Sequence, residues 1–453
     1  MRNLLTLLVL LSLAGAAHAA DFAWWKDELP YRVPVVVKTA GVEESDAPAQ
    51  VRFNFSAFLP GGEQLDLHSV RVVEQDAESG AFLREYPALV QPVDNYFSGL
   101  APLNFQKPYD PAKPPWIRAS SENPANPALN LVQQSGLWEA GTPTPPWTLA
   151  IDLGEAKLIN TALVLLGYDG GGRVLAKARL ETATESADGL TDGNWELVGD
   201  WDQTSMFENG SWRPFCFAPR EARYVRLVME KMTGGVQPKV RAFQIFRPLY
   251  DPDNRQEARI SWYLPGTWNG ERSFFLYFDA LRGQGQPAPP VPEQVAILRE
   301  AEETLPVRSP AGVGFSPTYD KTASGPTDPN LLSYQYKDDA FIVPTAWAVT
   351  LPREGLYTLA MRIRGNPGDH QIAVLWDRKI LFQGVFGLEG EDWNMIALQP
   401  QTLTAGVHTL ELMIKKGNGP RPVDLDLIML TTAPEFLPNQ VLLAYPGAGE
   451  VRR

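Results

Sequence analysis

Proline is the residue that most restricts how this chain can fold. It accounts for 40 of 453 residues, about 9%, where soluble proteins average about 5%. Because proline lacks an amide hydrogen and clashes with the preceding helical turn, its abundance argues against long helices. Between the turn-forming residues lie short runs of alternating apolar and polar residues, such as 148–153 and 222–229, which are typical of half-buried strands. We therefore expect an all-β protein.

Charge and cysteine content narrow the functional classes. The formal net charge is −13 and no long Lys/Arg run offsets it, so we expect no nucleic-acid partner. The single cysteine, Cys216, excludes a disulfide scaffold and any Cys-rich metal centre. Its position between Phe215 and Phe217 indicates a buried apolar residue. The length allows about two to four domains.

The N-terminus has the pattern of an export signal. Arg2 precedes an apolar run at 4–13, and Ala17-His18-Ala19 has the small-x-small form of a signal-peptidase site. The apolar run is short for a membrane span, and a retained N-terminal anchor is the alternative. We predict a signal peptide at 1–19 and no integral membrane segment in the mature chain. The protein is then secreted, either extracellular or periplasmic.

Turn-rich segments suggest where the domains divide. The stretch GQGQPAPPVP at 283–292 predicts an extended spacer. Residues 258–278 predict a hairpin around Asn269-Gly270, and an isolated hairpin is marginally stable in water. We expect this hairpin to join the first strands of the chain, with the intervening residues inserted as a second domain. The predicted boundaries are a split N-terminal β domain at 20–110 plus 251–282, an inserted domain at 111–250, a linker at 283–296, a C-terminal domain at 297–434 and a tail at 435–453.

No motif for catalysis is present in the sequence. The three histidines beyond the signal do not lie at metal-binding spacing, and no Gly-x-Ser-x-Gly elbow occurs. Gly170-Gly171-Gly172 lacks the Lys-Ser/Thr of a phosphate loop. A carboxylate pair for glycoside hydrolysis stays open, because spacing in sequence does not give separation in space. We predict that the protein is not an enzyme.

The inserted domain carries three blocks in a specific order. They are Ile151-Asp152-Leu153-Gly154, the turn Asp192-Gly193-Asn194, and Ala222-Arg223-Tyr224-Val225-Arg226-Leu227. The blocks resemble the discoidin, or coagulation-factor type C, family, which includes galactose-binding-like carbohydrate modules. The resemblance implies a β-sandwich that binds sugars or other surfaces through its loops, without catalysis.

The resemblance also suggests which residues of this domain bind a ligand. Aromatic faces stack on sugar rings, so the candidates are three tryptophans, each with an ordinary core position as the alternative: Trp138, Trp201 and Trp212. Gln133-Gln134-Ser135 and Ala242 stand where the family often has acidic residues tied to a calcium ion. These departures argue against calcium in this domain.

The C-terminal domain has its own ordered set of blocks. Glu300-Ala301-Glu302 opens it, Gly355-Leu356-Tyr357-Thr358-Leu359 and Ala405-Gly406-Val407-His408-Thr409-Leu410 follow, and Val423-Asp424-Leu425-Asp426 comes last. This order, over about 298–431, resembles carbohydrate-binding modules of families 6 and 35, which are β-sandwiches. We therefore predict three β-sandwich, jelly-roll-like domains in series, the first interrupted by the second.

The second resemblance implies a metal site and a sugar site. Glu300, Glu302 and Asp426 match the ligands of a structural calcium, with a solvated acidic strand edge as the alternative. Trp393 and either Tyr336 or Tyr334 match the aromatic pair that sandwiches a sugar, with a core position as the alternative for Trp393. Asp424 stands where the family has an asparagine that binds sugar hydroxyls.

Three functions compete on this basis. The leading prediction is a secreted, non-catalytic, bacterial protein that binds polysaccharide or another glycan in the medium or at cell surfaces. The second is a structural subunit of an extracellular matrix, surface layer or filament, which would self-assemble. The third is a polysaccharide-degrading enzyme with a site at a domain junction.

Overall fold

A computed structural model defines the fold. It describes residues 24–38, 44–59, 63–93, 102–106, 108–166, 175–202, 212–248, 256–268, 270–300, 318–320, 331–334, 345–365, 367–388, 393–415, 423–433, 442–446 and 450–451. The predicted signal peptide and its cleavage site lie outside these ranges. The chain forms two compact units, one made of residues 1–93, 255–293 and 441–453 and the other of residues 94–254 and 294–440.

The secondary structure is almost entirely strand, which confirms the predicted all-β class. The strands of the first half of the chain are β1 (Tyr31–Lys38), β2 (Glu44–Asn54), β3 (Arg71–Gln75), β4 (Phe82–Tyr86), β5 (Ala88–Pro92), β6 (Trp116–Ala119), β7 (Trp138–Glu139), β8 (Trp147–Leu166), β9 (Leu175–Ala183), β10 (Glu196–Asp202), β11 (Trp212–Met232) and β12 (Lys239–Phe246). A short helix, α1 (Leu129–Gln133), and 3₁₀ turns at Phe55–Ala57, Leu67–Ser69 and Thr233–Gly235 interrupt them.

The remaining strands belong to the second half of the chain. They are β13 (Glu257–Trp268), β14 (Glu271–Phe278), β15 (Ala296–Glu300), β16 (Thr318–Asp320), β17 (Leu331–Tyr334), β18 (Thr345–Leu351), β19 (Gly355–Arg364), β20 (Gly368–Trp376), β21 (Lys379–Leu388), β22 (Asn394–Ala397), β23 (Gln401–Leu403), β24 (Gly406–Lys415), β25 (Val423–Thr431), β26 (Leu442–Pro446) and β27 (Glu450–Val451). No helix in the described part of the chain is long and apolar enough to cross a membrane.

The first unit is a β-sandwich built from distant parts of the chain. Its nine-stranded sheet has the order β4-β3-β14-β1-β26-β2-β13-β5, with β27 on β1, and its segments β4-β3-β14-β1 and β2-β13-β5 form the two layers. Alternate residues of both layers, among them Val33, Val35, Ile260 and Leu276, point into one core because side chains alternate along a strand. β13 and β14 therefore pair with strands from before the insertion.

The predicted hairpin at 258–278 is wrong in its pairing. β13 lies between β2 and β5, while β14 lies between β1 and β3, so the two arms belong to different layers. Both edges of each arm are filled, and no edge is left for the arms to pair with each other. The apolar run of β14 is buried from Phe274 to Phe278, which suits an inner strand better than an isolated hairpin.

Residues 435–453, which the sequence predicted to be a tail, contain a strand of this unit. β26 pairs antiparallel with β1 and parallel with β2, so it lies between the edges of the two layers. β27 also pairs with β1. Residues near position 445 are thus part of a sheet formed mainly by the first hundred residues.

The middle of the chain forms a second sandwich around two long strands. β8 and β11 pair along their lengths, with register shifts between Cys216 and Arg220 and between Ala222 and Tyr224. The sheet order is β10-β9-β11-β8-β12-β7, with β6 also on β8. The core cluster is apolar throughout and includes Trp147, Ile151, Leu227 and Phe243.

An ion pair joins two of the three sequence blocks, residues 151–154 and residues 222–227. Asp152 lies opposite Tyr224 in the β8–β11 ladder. Its two carboxylate oxygens accept hydrogen bonds of 2.8 and 3.0 Å from Arg223, and one of them also accepts from the amide of Gly154 at 2.8 Å. Gly154 has a φ of +85°, a conformation that favours glycine. The ion pair and the strand pairing make these two blocks one structural unit.

The C-terminal part contains two sheets. One has the order β16-β17-β25-β19-β22, with β15 on β25 and β23 on β19, and the other has the order β18-β24-β20-β21. β25 is buried at nearly every position, and strands pair with both of its edges. This central position places Asp424 and Asp426 next to β19.

Candidate functional site

Two tryptophans predicted to bind sugar lie in the interior. Trp138 and Trp201 are each 0% exposed and belong to the core of the middle sandwich. The indole of Trp138 donates to the carbonyl oxygen of Ser121 at 3.2 Å, and the Arg378 guanidinium lies 4.5 Å from the Trp201 ring centre. Since a sugar stacks only on an accessible ring face, the prediction is wrong for both residues.

Four other predicted site residues have side chains that lie outside the described part of the structure. Trp212 opens β11 and Glu300 ends β15, but their side chains lie outside the described residues, as do Tyr336 and Glu302 entirely. The backbone of Glu300 is paired with Leu427 of β25.

Trp393 and Asp424, both predicted to bind sugar, contact arginines of β19. Trp393 is partly exposed and lies just before β22, which pairs with β19. The guanidinium carbons of Arg362 and Arg364 lie 4.9 and 4.7 Å from its ring centre. Arg364 Nε donates to Asp424 Oδ2 at 2.9 Å. An aromatic face, a cation and a carboxylate therefore form one cluster at this end of the sheet, which we call the Trp393 cluster.

The strand register aligns the polar members of this cluster. Asp424 pairs with Arg364 on one side and with Ser333 of β17 on the other. The side chains of Arg364 and Asp424 remain 29% and 13% exposed, so both reach solvent. A ligand that approaches the Trp393 ring meets hydrogen-bond donors and acceptors beside it.

Asp426 is an interior residue with a different partner. Its Oδ2 accepts from Arg362 Nη1 at 2.6 Å, and the two side chains are 0% and 3% exposed. The register of β25 against β19 skips Asp426, which makes it the extra residue of a β-bulge. A guanidinium already compensates this carboxylate. The predicted calcium site stays a prediction, because the side chains of Glu300 and Glu302 lie outside the described residues.

Sequence reasoning missed one tryptophan of the middle sandwich. Trp195 is partly exposed and follows the turn at 192–194 that the sequence marked as a hairpin tip. The guanidinium of Arg226 lies 3.9 Å from its ring centre, and Arg226 also donates to the carbonyl oxygen of Leu190 at 2.8 Å. Its position directly after a turn could have identified Trp195 as a surface residue, since residues that flank turns lie at the surface.

The loop that carries Trp195 is held by its own polar side chains. Asp188 Oδ1 accepts from the amides of Leu190, Thr191 and Asp192 at 2.8 to 3.0 Å. The hydrogen bond from the Thr191 hydroxyl and those from the backbone amides hold the pKa of Asp188 well below its usual range. These hydrogen bonds fix the shape of the loop that leads to Trp195.

Several acidic side chains in the described residues form ion pairs with arginines. Within the ranges that the structure covers, no group of three or more His, Cys, Asp and Glu residues is placed to hold a metal ion. Burial raises the pKa of the Cys216 thiol to about 12, so this cysteine is protonated at neutral pH.

Comparison with known proteins identifies the middle sandwich. Residues 117–241 match the F5/8 type C domain. These residues form an F5/8 type C, or discoidin, domain, as the sequence blocks predicted. The search of curated proteins returns no match to this chain.

Solved structures similar to this chain cover about a third of it. Chitosan-binding module 1 of a chitosanase/glucanase from Paenibacillus sp. IK-5 is 16% identical, with 32% of this chain and 99% of that chain covered and a TM-score of 0.27. The family 32 carbohydrate-binding module of Clostridium perfringens NanJ, solved with galactose, is 18% identical, with 29% and 92% covered and a TM-score of 0.25. A fucosidase of Ruminococcus gnavus is 13% identical, with 34% and 28% covered and a TM-score of 0.26.

Proposed function

We propose that this protein binds carbohydrate and that the Trp393 cluster is a binding site. The observation that carries the proposal is the partly exposed Trp393 ring beside the Arg364–Asp424 pair. The C–H face of a pyranose packs on an indole, while its hydroxyls require both donors and acceptors. Arg364 supplies only donors and Asp424 only acceptors, so a single hydroxyl can bind to both.

The F5/8 type C domain supports a second contact surface. In that domain Trp195 is partly exposed on a loop whose shape is set by Asp188 and by Arg226. Two weak surfaces on one chain raise the affinity for a polymer that reaches both of them. A polysaccharide is therefore a better ligand than a monosaccharide under this proposal.

We further propose that the protein acts outside the cytoplasm and without catalysis. The support is the export-signal pattern at residues 1–19 and the lack of any catalytic motif in the sequence. Purified protein should release no reducing ends from a polysaccharide panel. Measurable release would replace this part of the proposal with a degrading enzyme.

Replacing the platform residue tests the binding site. Glycan-array screening should first find a ligand, with chitosan oligosaccharides and galactose-containing glycans among the probes. Trp393→Ala should then weaken binding about two- to tenfold, because removal of the aromatic face loses a stacking contact of about 0.5–1.5 kcal/mol. Isothermal titration with the best array ligand measures the change.

A matched control lies on the neighbouring strand β19. Leu356 is 59% exposed and lies at the start of that strand, while the arginines of the cluster lie at its end. Leu356→Ala should leave affinity unchanged. Equal affinities for wild type and Trp393→Ala would reject the site, and sugar-insensitive self-association seen by light scattering would favour the structural alternative.

We keep the calcium ion at Glu300, Glu302 and Asp426 as a proposal that rests on the sequence match. Carboxylate oxygens suit calcium, and a bound ion stabilises the folded state by mass action. A chelator should then lower the melting temperature of the C-terminal sandwich. An unchanged melting temperature at saturating chelator would reject the ion and leave Asp426 as the partner of Arg362 alone.

A further inference from the structure

The two sandwiches of the second unit meet along a buried apolar seam. Its centre is a cluster of side chains that are each at most 6% exposed, drawn from both sandwiches: Leu163, Leu165, Cys216, Phe246 and Ala346. The amide of Cys216 donates to the Thr409 hydroxyl at 3.1 Å across the seam. At its edge, Lys379 Nζ lies 3.0 Å from Asp200 Oδ2.

A tight turn of the C-terminal sandwich inserts an arginine into the seam. Asp377 and Arg378 connect β20 to β21 with φ values of +48° and +68°, which residues with a Cβ atom rarely adopt. Arg378 is 1% exposed, pairs with Glu411 and stacks on the Trp201 ring of the other sandwich. Such a conformation persists only where its surroundings hold it in place.

His408 is part of what holds this turn. Its Nδ1 lies 2.6 Å from Asp377 Oδ2, and its Nε2 lies 2.9 Å from the carbonyl oxygen of Thr404. Both partners are acceptors when Asp377 is ionised, so both ring nitrogens must donate, and only the imidazolium does that. Asp377 is tied further by the Thr409 amide, which donates to its Oδ1 at 2.9 Å.

The charges around His408 favour the same protonation state. Burial alone disfavours the imidazolium, but the hydrogen bond and negative charge of Asp377 raise the pKa of His408 above its ordinary value. Asp200, Asp377, Arg378 and Cys216 line a cavity of about 240 Å³ with His408. Arg378 is compensated by Glu411 and Asp200 by Lys379, and the Cys216 thiol is neutral, which leaves Asp377 as the charge that faces the ring.

We propose that His408 and the Asp377–Arg378 turn form a pH-sensitive latch that holds the two sandwiches together while the imidazole is protonated. Loss of the proton leaves a ring nitrogen lone pair facing Asp377 or Thr404, and the turn loses a support. Because the folded-state pKa is raised, the stabilisation is complete below the ordinary histidine pKa of about 6.5. It is lost as pH rises through the folded-state value.

The natural single cysteine reports the opening of the seam. Cys216 is buried at the seam, so its reaction with 4,4′-dithiodipyridine requires the sandwiches to separate locally. Labelling rates of the full chain and of His408→Gln should be measured from pH 5.5 to 9.5. Once opening exposes the thiol it ionises alike in both proteins, so the ratio of their rates isolates the contribution of His408.

The latch predicts a ratio that depends on pH. At pH 5.5 we expect His408→Gln to react about threefold faster or more, and at pH 9.5 the two rates should converge. The exposed His68 lies in the other unit, and His68→Gln should follow wild type throughout. A ratio that stays constant over the whole range would overturn the proposal. If His408→Gln does not fold, Asp377→Asn decides by the same criterion.

Discussion

At the scale of single residues, one carboxylate joins two sequence blocks that lie about 70 positions apart. Asp152 binds Arg223 through both oxygens and also fixes the amide of Gly154. The sequence blocks predicted this part of the molecule, and the structure joins two of them through this ion pair. Trp201 could not be placed in the same way, because the group that covers its ring is Arg378, 177 positions later in the chain.

Gly154 provides a test at this scale. A Cβ atom at this position would lie 2.5 Å from side-chain atoms of Pro114, in addition to the strain of a φ of +85°. Gly154→Ala should lower the free energy of unfolding of the F5/8 type C domain by about 2 kcal/mol or more. Urea denaturation measures the loss.

The matched control separates backbone strain from the clash. Gly234 has a φ of +76° and no atom within 4 Å of the position its Cβ would take. Gly234→Ala should cost only about 1 kcal/mol. Equal losses for the two variants would show that the contact with Pro114 contributes nothing.

At the scale of strands, pairing partners come from far along the chain. The hairpin pattern at 258–278 predicted both β13 and β14 as strands, but it carries no information about which layer each one joins. Likewise, β26 reads as a short apolar run near the C-terminus, and only the structure places it between β1 and β2. Strand identity was predictable from local pattern, whereas these long-range pairings were not.

Removal of residues 441–453 tests the contribution of β26. The variant exposes the edges of β1 and β2 and should lower the melting temperature of the first unit by about 5 °C or more. Hydrogen exchange should accelerate in residues 31–38 and stay unchanged in residues 175–183 of the other unit. A variant that lacks only residues 452–453 serves as the control, and equal exchange in both variants would contradict this role.

At the scale of the whole molecule, the F5/8 type C domain does not stand alone in its unit. Phe243 and Phe246 lie on the same strand, β12, but Phe243 packs in the domain core while Phe246 packs in the seam. The family match covers residues 117–241 and could not reveal this second packing surface.

This pair of phenylalanines gives a prediction about cooperativity. Phe246→Ala should destabilise the second unit by about 3–5 kcal/mol and should accelerate hydrogen exchange in residues 345–351 of the C-terminal sandwich. Phe243→Ala should cost a similar amount but should accelerate exchange in the F5/8 type C domain alone. If both variants leave 345–351 equally protected, the seam does not couple the two sandwiches.

The strand between β1 and β2 also determines the order in which the molecule can mature. The ribosome completes residues 117–241 well before residue 442, and the F5/8 type C domain has all its strands by then. The sheet of the first unit combines strands from residues 31–92, 257–278 and 442–446. It is therefore complete only after residue 446 has been synthesised. Contacts of such long sequence separation form slowly. The early strands β1 and β2 therefore gain their pairing with β26 only after residues 442–446 have been made.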